Sequence, residues 1–203
     1  NLQEEIKKAL SGNLPGENSH RKMLPPNRVL NVPPADKSRT KLSSVLLLLF
    51  VENNELHVCL IKRPSHMKHH AGQIALPGGR LEKGETELET ALRETFEEIG
   101  VEADQINILG SLSDFYVEVS RFQIQPFVGW LKTKPEFILN SYEVEKTILF
   151  PIKQFKAPFC EKEIQTVSGK ISVPCIHFEN EIIWGATAMI LSEFADILNQ
   201  LDL

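Results

Sequence analysis

The chain alternates between stretches whose apolar spacing fits helices and stretches whose apolarity is nearly continuous. Leu2, Ile6 and Leu10 form an i, i+4, i+8 stripe that predicts a short helix at the start. From Gly12 to Asp36 that periodicity stops. Pro15, Pro25, Pro26, Pro33 and Pro34 fall there, so the segment reads as an extended wrapping stretch or linker. Residues 1–37 are therefore expected to form an N-terminal extension, and 38–203 the main domain.

The main domain opens with two β-favouring runs, Ser44–Val51 and Leu56–Ile61, around Glu52-Asn53-Asn54-Glu55, a hairpin signal. Val45–Phe50 is apolar without interruption, which predicts a strand covered on both faces. Further strands are expected at Asn107–Leu112, Phe122–Trp130, Thr147–Phe150 and Ile182–Trp184, with a helix near Ala186–Leu201. This order of elements predicts an α/β protein with a central mixed sheet flanked by helices.

The best-marked element is a helix over Glu87–Ile99. Thr86 followed by Glu89 is a capping-box pattern, and Gly100 is placed to end the helix in the left-handed conformation. Leu88, Ala91, Leu92, Thr95, Phe96 and Ile99 share a stripe expected to pack on the sheet. At about 100° per residue, Glu94 and Glu98 lie about 40° apart, and Glu97 about 60° to the other side. Three carboxylates on one helical face repel one another, and a hard divalent cation would turn that repulsion into binding. Arg93 is one turn from both Glu89 and Glu97 and could orient either. Pro77-Gly78-Gly79 precedes the cluster with a backbone able to approach a ligand closely, and Glu85 lies in the loop between.

Composition narrows the chemistry. Hydrophobic residues make up 42% and charged residues 24% of 203, as in an ordinary folded domain. A net charge of -5 argues against broad nucleic-acid binding but not against a small phosphorylated substrate. Cys59, Cys160 and Cys175 are odd in number and lack a CxxC, so neither a disulfide framework nor a zinc site is expected, and a reducing cytoplasm suits them. The longest apolar run, Val45–Val51, is too short to cross a bilayer, and NLQEEIKK offers no apolar signal region. Neither nucleic acid nor a membrane is expected as a partner.

The segment from Gly79 to Val101 resembles the Nudix hydrolase box. That box runs glycine, five residues, glutamate, seven residues, Arg-Glu, an aliphatic residue, any residue, Glu-Glu, any residue, glycine and an aliphatic residue. Gly79, Glu85, Arg93, Glu94, Glu97, Glu98 and Gly100 meet its fixed positions, and Thr95 alone departs, at an aliphatic one. The resemblance implies a Nudix-type α/β/α sandwich and metal-dependent hydrolysis of a nucleoside diphosphate-linked pyrophosphate. It implies Mg²⁺ or Mn²⁺ held by Glu94, Glu97, Glu98 and the Gly79 carbonyl, with Glu85 behind them or at a second metal. The general base would be Glu98, Glu97 or, from a later loop, Glu143.

Upstream, Arg63, Met67, Lys68, His70, Gly72 and Pro77-Gly78-Gly79 resemble the signature of the coenzyme A pyrophosphatase subgroup, with Met67-Lys68 where that subgroup has Leu-Arg. Pro126–Gly129, Glu143-Val144 and Ile182–Ala188 resemble its later landmarks, so the likeness spans about residues 38 to 195. It implies substrate contacts from Arg63, His70, Gly72, Gln73, Gly78 and Arg80, with Lys62 and Lys68 as further bases. His69-His70 is not expected to be a metal pair, because adjacent residues on a strand point oppositely. The implied substrate is coenzyme A or a derivative, cut to adenosine 3′,5′-bisphosphate and 4′-phosphopantetheine or its acyl form. An ADP-ribose or other nucleotide-sugar pyrophosphatase, and a non-catalytic nucleotide-sensing module, are the alternatives. Family habit makes a homodimer an expectation.

Overall fold

Strand β1, Lys41–Glu52, sits in the middle of the molecule for the reason its sequence suggests. Leu46 to Phe50 are all fully buried, with Leu46, Leu48 and Phe50 in one apolar cluster and Leu47 and Leu49 in another. Successive side chains point to opposite faces, so both faces must be covered. Each such side chain contributes roughly 1.5–3 kcal/mol relative to an exposed one. The computed structural model describes residues 1–26, 28–67, 70–166 and 169–201.

The turn after β1 places Asn53 and Asn54 at φ 53° and 63°, the doubly left-handed pair of a two-residue hairpin, and leads into β2, Glu55–Lys62. Short strands β3, Ile74–Ala75, and β4, Gly78–Arg80, then pair with β2 and β1 respectively. Helix α3 covers Glu87–Ile99. It is followed by β5, Asn107–Ser111, β6, Phe115–Val117, β7, Phe122–Trp130, and β8, Lys146–Pro151. β1 and β7 are parallel while the other pairings are antiparallel, giving a mixed eight-stranded sheet with the path β3-β2-β1-β7-β5.

A second sheet, ordered β11-β10-β9, is built from β9, Cys160–Thr166, β10, Gly169–Phe178, and β11, Glu181–Trp184. Helix α4, Gly185–Gln200, follows it directly. α3 closes one face of the main sheet with Ala91 and Ile99, and α4 closes the other with Ile190, Phe194 and Ile197. The expected sandwich around a mixed sheet is the observed architecture. Among the described residues no helix is long and apolar enough to cross a membrane.

Three expectations are corrected. The 12–36 stretch is not simply extended: α2, Glu17–His20, follows helix α1, Leu2–Leu10, and Ser19, His20 and Met23 are buried. The buried stripe of α3 is rotated away from Phe96, which is 47% exposed, toward Ala91, Thr95, Glu98 and Ile99. Cys160 and Cys175 form a disulfide, because antiparallel β9 and β10 set them directly opposite each other with Cα atoms 4.8 Å apart. Their separation in sequence hid a pairing that register creates. The cysteine count therefore no longer argues for a reducing compartment.

A buried carboxylate is the centre of the contacts that hold the N-terminal segment, beside Asp196, which accepts from Ser19 and Lys22, and Ser192, which donates to the Ser19 carbonyl. Glu193 of α4 is fully buried and accepts from the Gly16 N–H at 3.1 Å, Ser113 Oγ at 2.6 Å and the Ser113 N–H at 3.2 Å, with His20 Nε2 at 3.0 Å. Removing it leaves several buried polar groups without a partner, each costing about 1–3 kcal/mol. Glu193→Ala should lower the unfolding free energy by about 3 kcal/mol or more in urea titrations. A change within about 0.5 kcal/mol, as at an ordinary surface site, would mean that the segment is not tied down here.

Candidate functional site

Helix α3 begins and ends as its sequence indicates. Thr86 Oγ1 accepts from the Glu89 N–H at 3.3 Å, Glu89 Oε2 accepts from the Thr86 N–H at 2.7 Å, and Gly100 closes the helix at φ 73°. Fixed at both ends, the helix lies against β4. The Gly78 N–H donates to Glu98 Oε2 at 3.0 Å, and a Cβ on Gly79 would collide with the Glu94 carboxylate. Glycine is needed at 79 because a side-chain carboxylate occupies the space where a Cβ would stand.

Glu143 completes the group from the loop before β8. One oxygen each from Glu94, Glu98 and Glu143 lies within 4.8 Å of the others. Asn140 holds that loop: its N–H donates to the Glu98 carbonyl at 3.0 Å, and its own carbonyl accepts from Glu143 and Val144 at 2.9 and 2.8 Å. Its Nδ2 also donates to Glu143 Oε1 at 3.3 Å. Val144 is buried in the α3-side core and anchors the turn.

Glu98 is 1% exposed. Burial pushes its carboxyl up to about 8, aided by the charges of Glu94 and Glu143 and opposed by the Gly78 N–H and Arg63. Glu94 is also raised, by burial first, with Arg93 opposing. Among the described residues, Gly78 is the one hydrogen-bond donor to the Glu98 carboxylate. Hard carboxylate oxygens short of positive charge suit a divalent cation. All three oxygens lie within 4.8 Å of one another, close enough to converge on one ion. The donor set fits such an ion.

Arg93 braces the surrounding acids. Its Nε meets Glu85 Oε1 at 2.5 Å, its Nη1 meets Glu94 at 3.0 Å and Glu97 at 3.1 Å, and its Nη2 donates to Glu85 Oε2 at 3.1 Å and the Arg80 carbonyl at 3.3 Å. Thr90 Oγ1 also donates to Glu85, and the Arg93 contact draws the Glu85 carboxyl down to about 2. The expected link from Arg93 to Glu89 is not made, because Glu89 is engaged in the helix cap. Glu97 is half-exposed beside Arg93 and outside the close trio, although its charge helps raise Glu94.

The loop before the box folds back on itself. The Arg63 N–H donates to the Gln73 carbonyl and the Gly72 N–H to the Arg63 carbonyl, both at 3.0 Å. Arg63 Nε is buried with no hydrogen-bond partner among the described residues. His70, at φ 56°, meets Gln73 Oε1 through Nδ1 at 2.9 Å, and Gly72 turns at φ 67°. Arg80 is exposed. Lys62 is not a spare base, since it pairs with Glu181 at 3.0 Å and Glu145 at 3.6 Å. Lys68 and His69 lie outside the described residues.

With this geometry in place, the comparisons are decisive at the level of family. Residues 40–167 match the family model of the NUDIX domain. The chain belongs to the Nudix family.

It is 31% identical over 183 residues to Nudix hydrolase 3 of Caenorhabditis elegans, covering 81% of this chain and 76% of that protein. It is 32% identical over 171 residues to an uncharacterized Nudix hydrolase NudL of Yersinia enterocolitica, covering 82% and 86%. Among solved structures, a MutT/nudix family protein from Enterococcus faecalis matches with a TM-score of 0.55 at 18% identity, over 83% of this chain and 65% of that one. That likeness speaks for the Nudix fold alone.

The box resemblance pointed to the glycine seat and the helix, and the Asn140-x-x-Glu143-Val144 context to Glu143, which the fold brings beside Glu94 and Glu98. What that context did not give is the set of bonds by which Asn140 holds the loop, since one of them goes to the distant Glu98 carbonyl. The raised carboxyl of Glu98 has a measurable consequence. Its folded value near 8 exceeds the usual 4.5, so its stabilising contribution is complete below about 4.5 and is lost as pH rises toward 8. The thermal midpoint of chelator-treated protein should fall between pH 5 and 8, and Glu98→Gln should flatten that fall. Parallel profiles for the two proteins would contradict it.

Proposed function

We propose that this Nudix protein hydrolyses the phosphoanhydride of a nucleotide with the help of Mg²⁺ or Mn²⁺, and that the nucleotide is coenzyme A or a derivative. The observation carrying the first part is the meeting of Glu94, Glu98 and Glu143 against Gly78-Gly79. Glu94, Glu98 and the Gly79 carbonyl are the proposed ligands; Glu97, outside the close trio, reaches the ion by leaving its contact with Arg93. A bound divalent cation supplies neutralisation of the anhydride oxygens and a more acidic water.

The other roles belong to the chain itself. Arg63, whose buried Nε has no hydrogen-bond partner among the described residues, is suited to donate to a phosphate oxygen. Glu85 works through Arg93, whose guanidinium fixes Glu94 and Glu97 in turn. Glu143 is the proposed general base. It is less buried than Glu98, and its Oε1 is held by Asn140 while Oε2 has no hydrogen bond among the described residues. Water's oxygen bonds to phosphorus, the bond from phosphorus to the bridging oxygen breaks, and Glu143 Oε2 takes the proton. The products from coenzyme A are adenosine 3′,5′-bisphosphate and 4′-phosphopantetheine.

The substrate assignment is supported by the Arg63-to-Gly79 signature and by the turn that joins His70, Gly72 and Gln73 to Arg63. Glu143→Gln should reduce kcat by about 10²- to 10⁴-fold with KM little changed. Turnover within a few fold of the unaltered protein would remove Glu143 as base. A panel of coenzyme A, ADP-ribose, NADH and dinucleoside polyphosphates with product identification tests the substrate. Preference for ADP-ribose by more than about tenfold, about 1.4 kcal/mol, would defeat the coenzyme A reading.

A further inference from the structure

The second sheet has two unlike faces. Ile176, Phe178 and Ile183 turn inward to the α4-side core. The other face carries Lys162, Ile164, Ile182 and Trp184, which with Gly72 and Gln73 line a groove of about 480 Å³. That volume is in the range of small-molecule sites. The groove's rim belongs to the loop that holds Arg63, because Gly72 and Gln73 form the backbone bonds to that residue. A molecule bound through its anhydride beside Arg63 can therefore continue along residues 72–73 into the groove.

Charge singles out one side chain there. Glu181 is matched by Lys62 at 3.0 Å and Lys146 at 2.8 Å, and Glu163 by Lys170 at 3.7 Å. Lys162 is half-buried, and its ammonium lies 5.6 Å from the centre of the Trp184 ring. Among the described residues no carboxylate pairs with it. The aromatic face steadies this cation without cancelling its charge. Coenzyme A carries a diphosphate and, apart from it, a 3′-phosphate monoester, and the anhydride is already assigned to the Arg63 side. The remaining dianion is the natural counterpart of an unneutralised lysine.

We infer that the groove between the 71–73 turn and the β9–β11 sheet is a specificity subsite for a phosphate monoester on the nucleoside half of the substrate, with Lys162 as its cation and Trp184 as the support of that lysine. The inference rests on the nucleotide reading above and adds the residue that would distinguish coenzyme A from its 3′-dephospho form.

Calorimetry on the metal-free 203-residue chain with adenosine 3′,5′-bisphosphate and adenosine 5′-monophosphate reads the subsite without hydrolysis. The bisphosphate should bind about tenfold more tightly. Lys162→Ala should bring that ratio close to one, and Lys162→Arg should preserve most of it. In the same proteins, the KM ratio of dephospho-coenzyme A to coenzyme A should collapse in Lys162→Ala alone. Absence of a preference in the unaltered protein, or an unchanged preference in a folded Lys162→Ala protein, overturns the subsite. If coenzyme A is hydrolysed but the ratio ignores Lys162, the subsite falls and the proposed activity stands. If the calorimetric preference depends on Lys162 but coenzyme A is not hydrolysed, the activity falls and the phosphate subsite stands.

Discussion

The site depends on a carboxylate buried against a glycine strand. Glu98 gives up water and receives one backbone N–H in return, so its charged form is costly until a cation shares it. That arrangement requires α3 to approach β4 more closely than side chains would allow. Gly79 leaves space for Glu94, while a Cβ on Gly78 would run into the Ser44 carbonyl of β1. The helix cap at Thr86, the stop at Gly100 and the Asn140 turn all fix the carboxylates that meet at this contact. Arg93 serves the same end from outside, drawing four groups around one guanidinium.

The main sheet separates two tasks. Its α3 side presents the acids, and its α4 side joins the smaller sheet whose outer face bears Lys162 and Trp184. Residues 70–73, bonded to Arg63, connect them at the edge formed by β2 and β3, where Thr187 Oγ1 also donates to the Ile74 carbonyl at 3.2 Å. Changes in β9–β11 can therefore alter what is recognised while leaving the carboxylates in place. The Cys160–Cys175 bond spans two strands of that outer wall and lies in register with Trp184 across β10.

Local signals made much of this legible in advance. A capping residue, a glycine stop and helical spacing specify α3 within a few turns of chain, and the apolar run of β1 declares its double coverage. The errors arose where distant partners decide. Phe96 shares a stripe with Ile99, but the close seating of Glu94 and Glu98 on β4 rotates the helix and leaves Phe96 at the surface. Glu97 looks equivalent to Glu98 on a helical wheel, yet one faces Arg93 and the other the interior. The β9–β10 pair is poorly marked because β9 is mostly polar and Pro174 interrupts the alternation in β10, and its cysteines meet only once the register is known. Lys62 looked like a free base until Glu181 came alongside it.

The acid that fastens the N-terminal segment has a consequence for how the molecule is assembled. Gly16 and Glu193 are 177 positions apart, so the bond between them closes a loop over most of the 203-residue sequence. During synthesis the first helices emerge long before α4 exists to receive them. Their docking must therefore be a late event, slowed by the closure of a very long loop. The buried faces of α2 and of Met23 stay in water until α4 has been made.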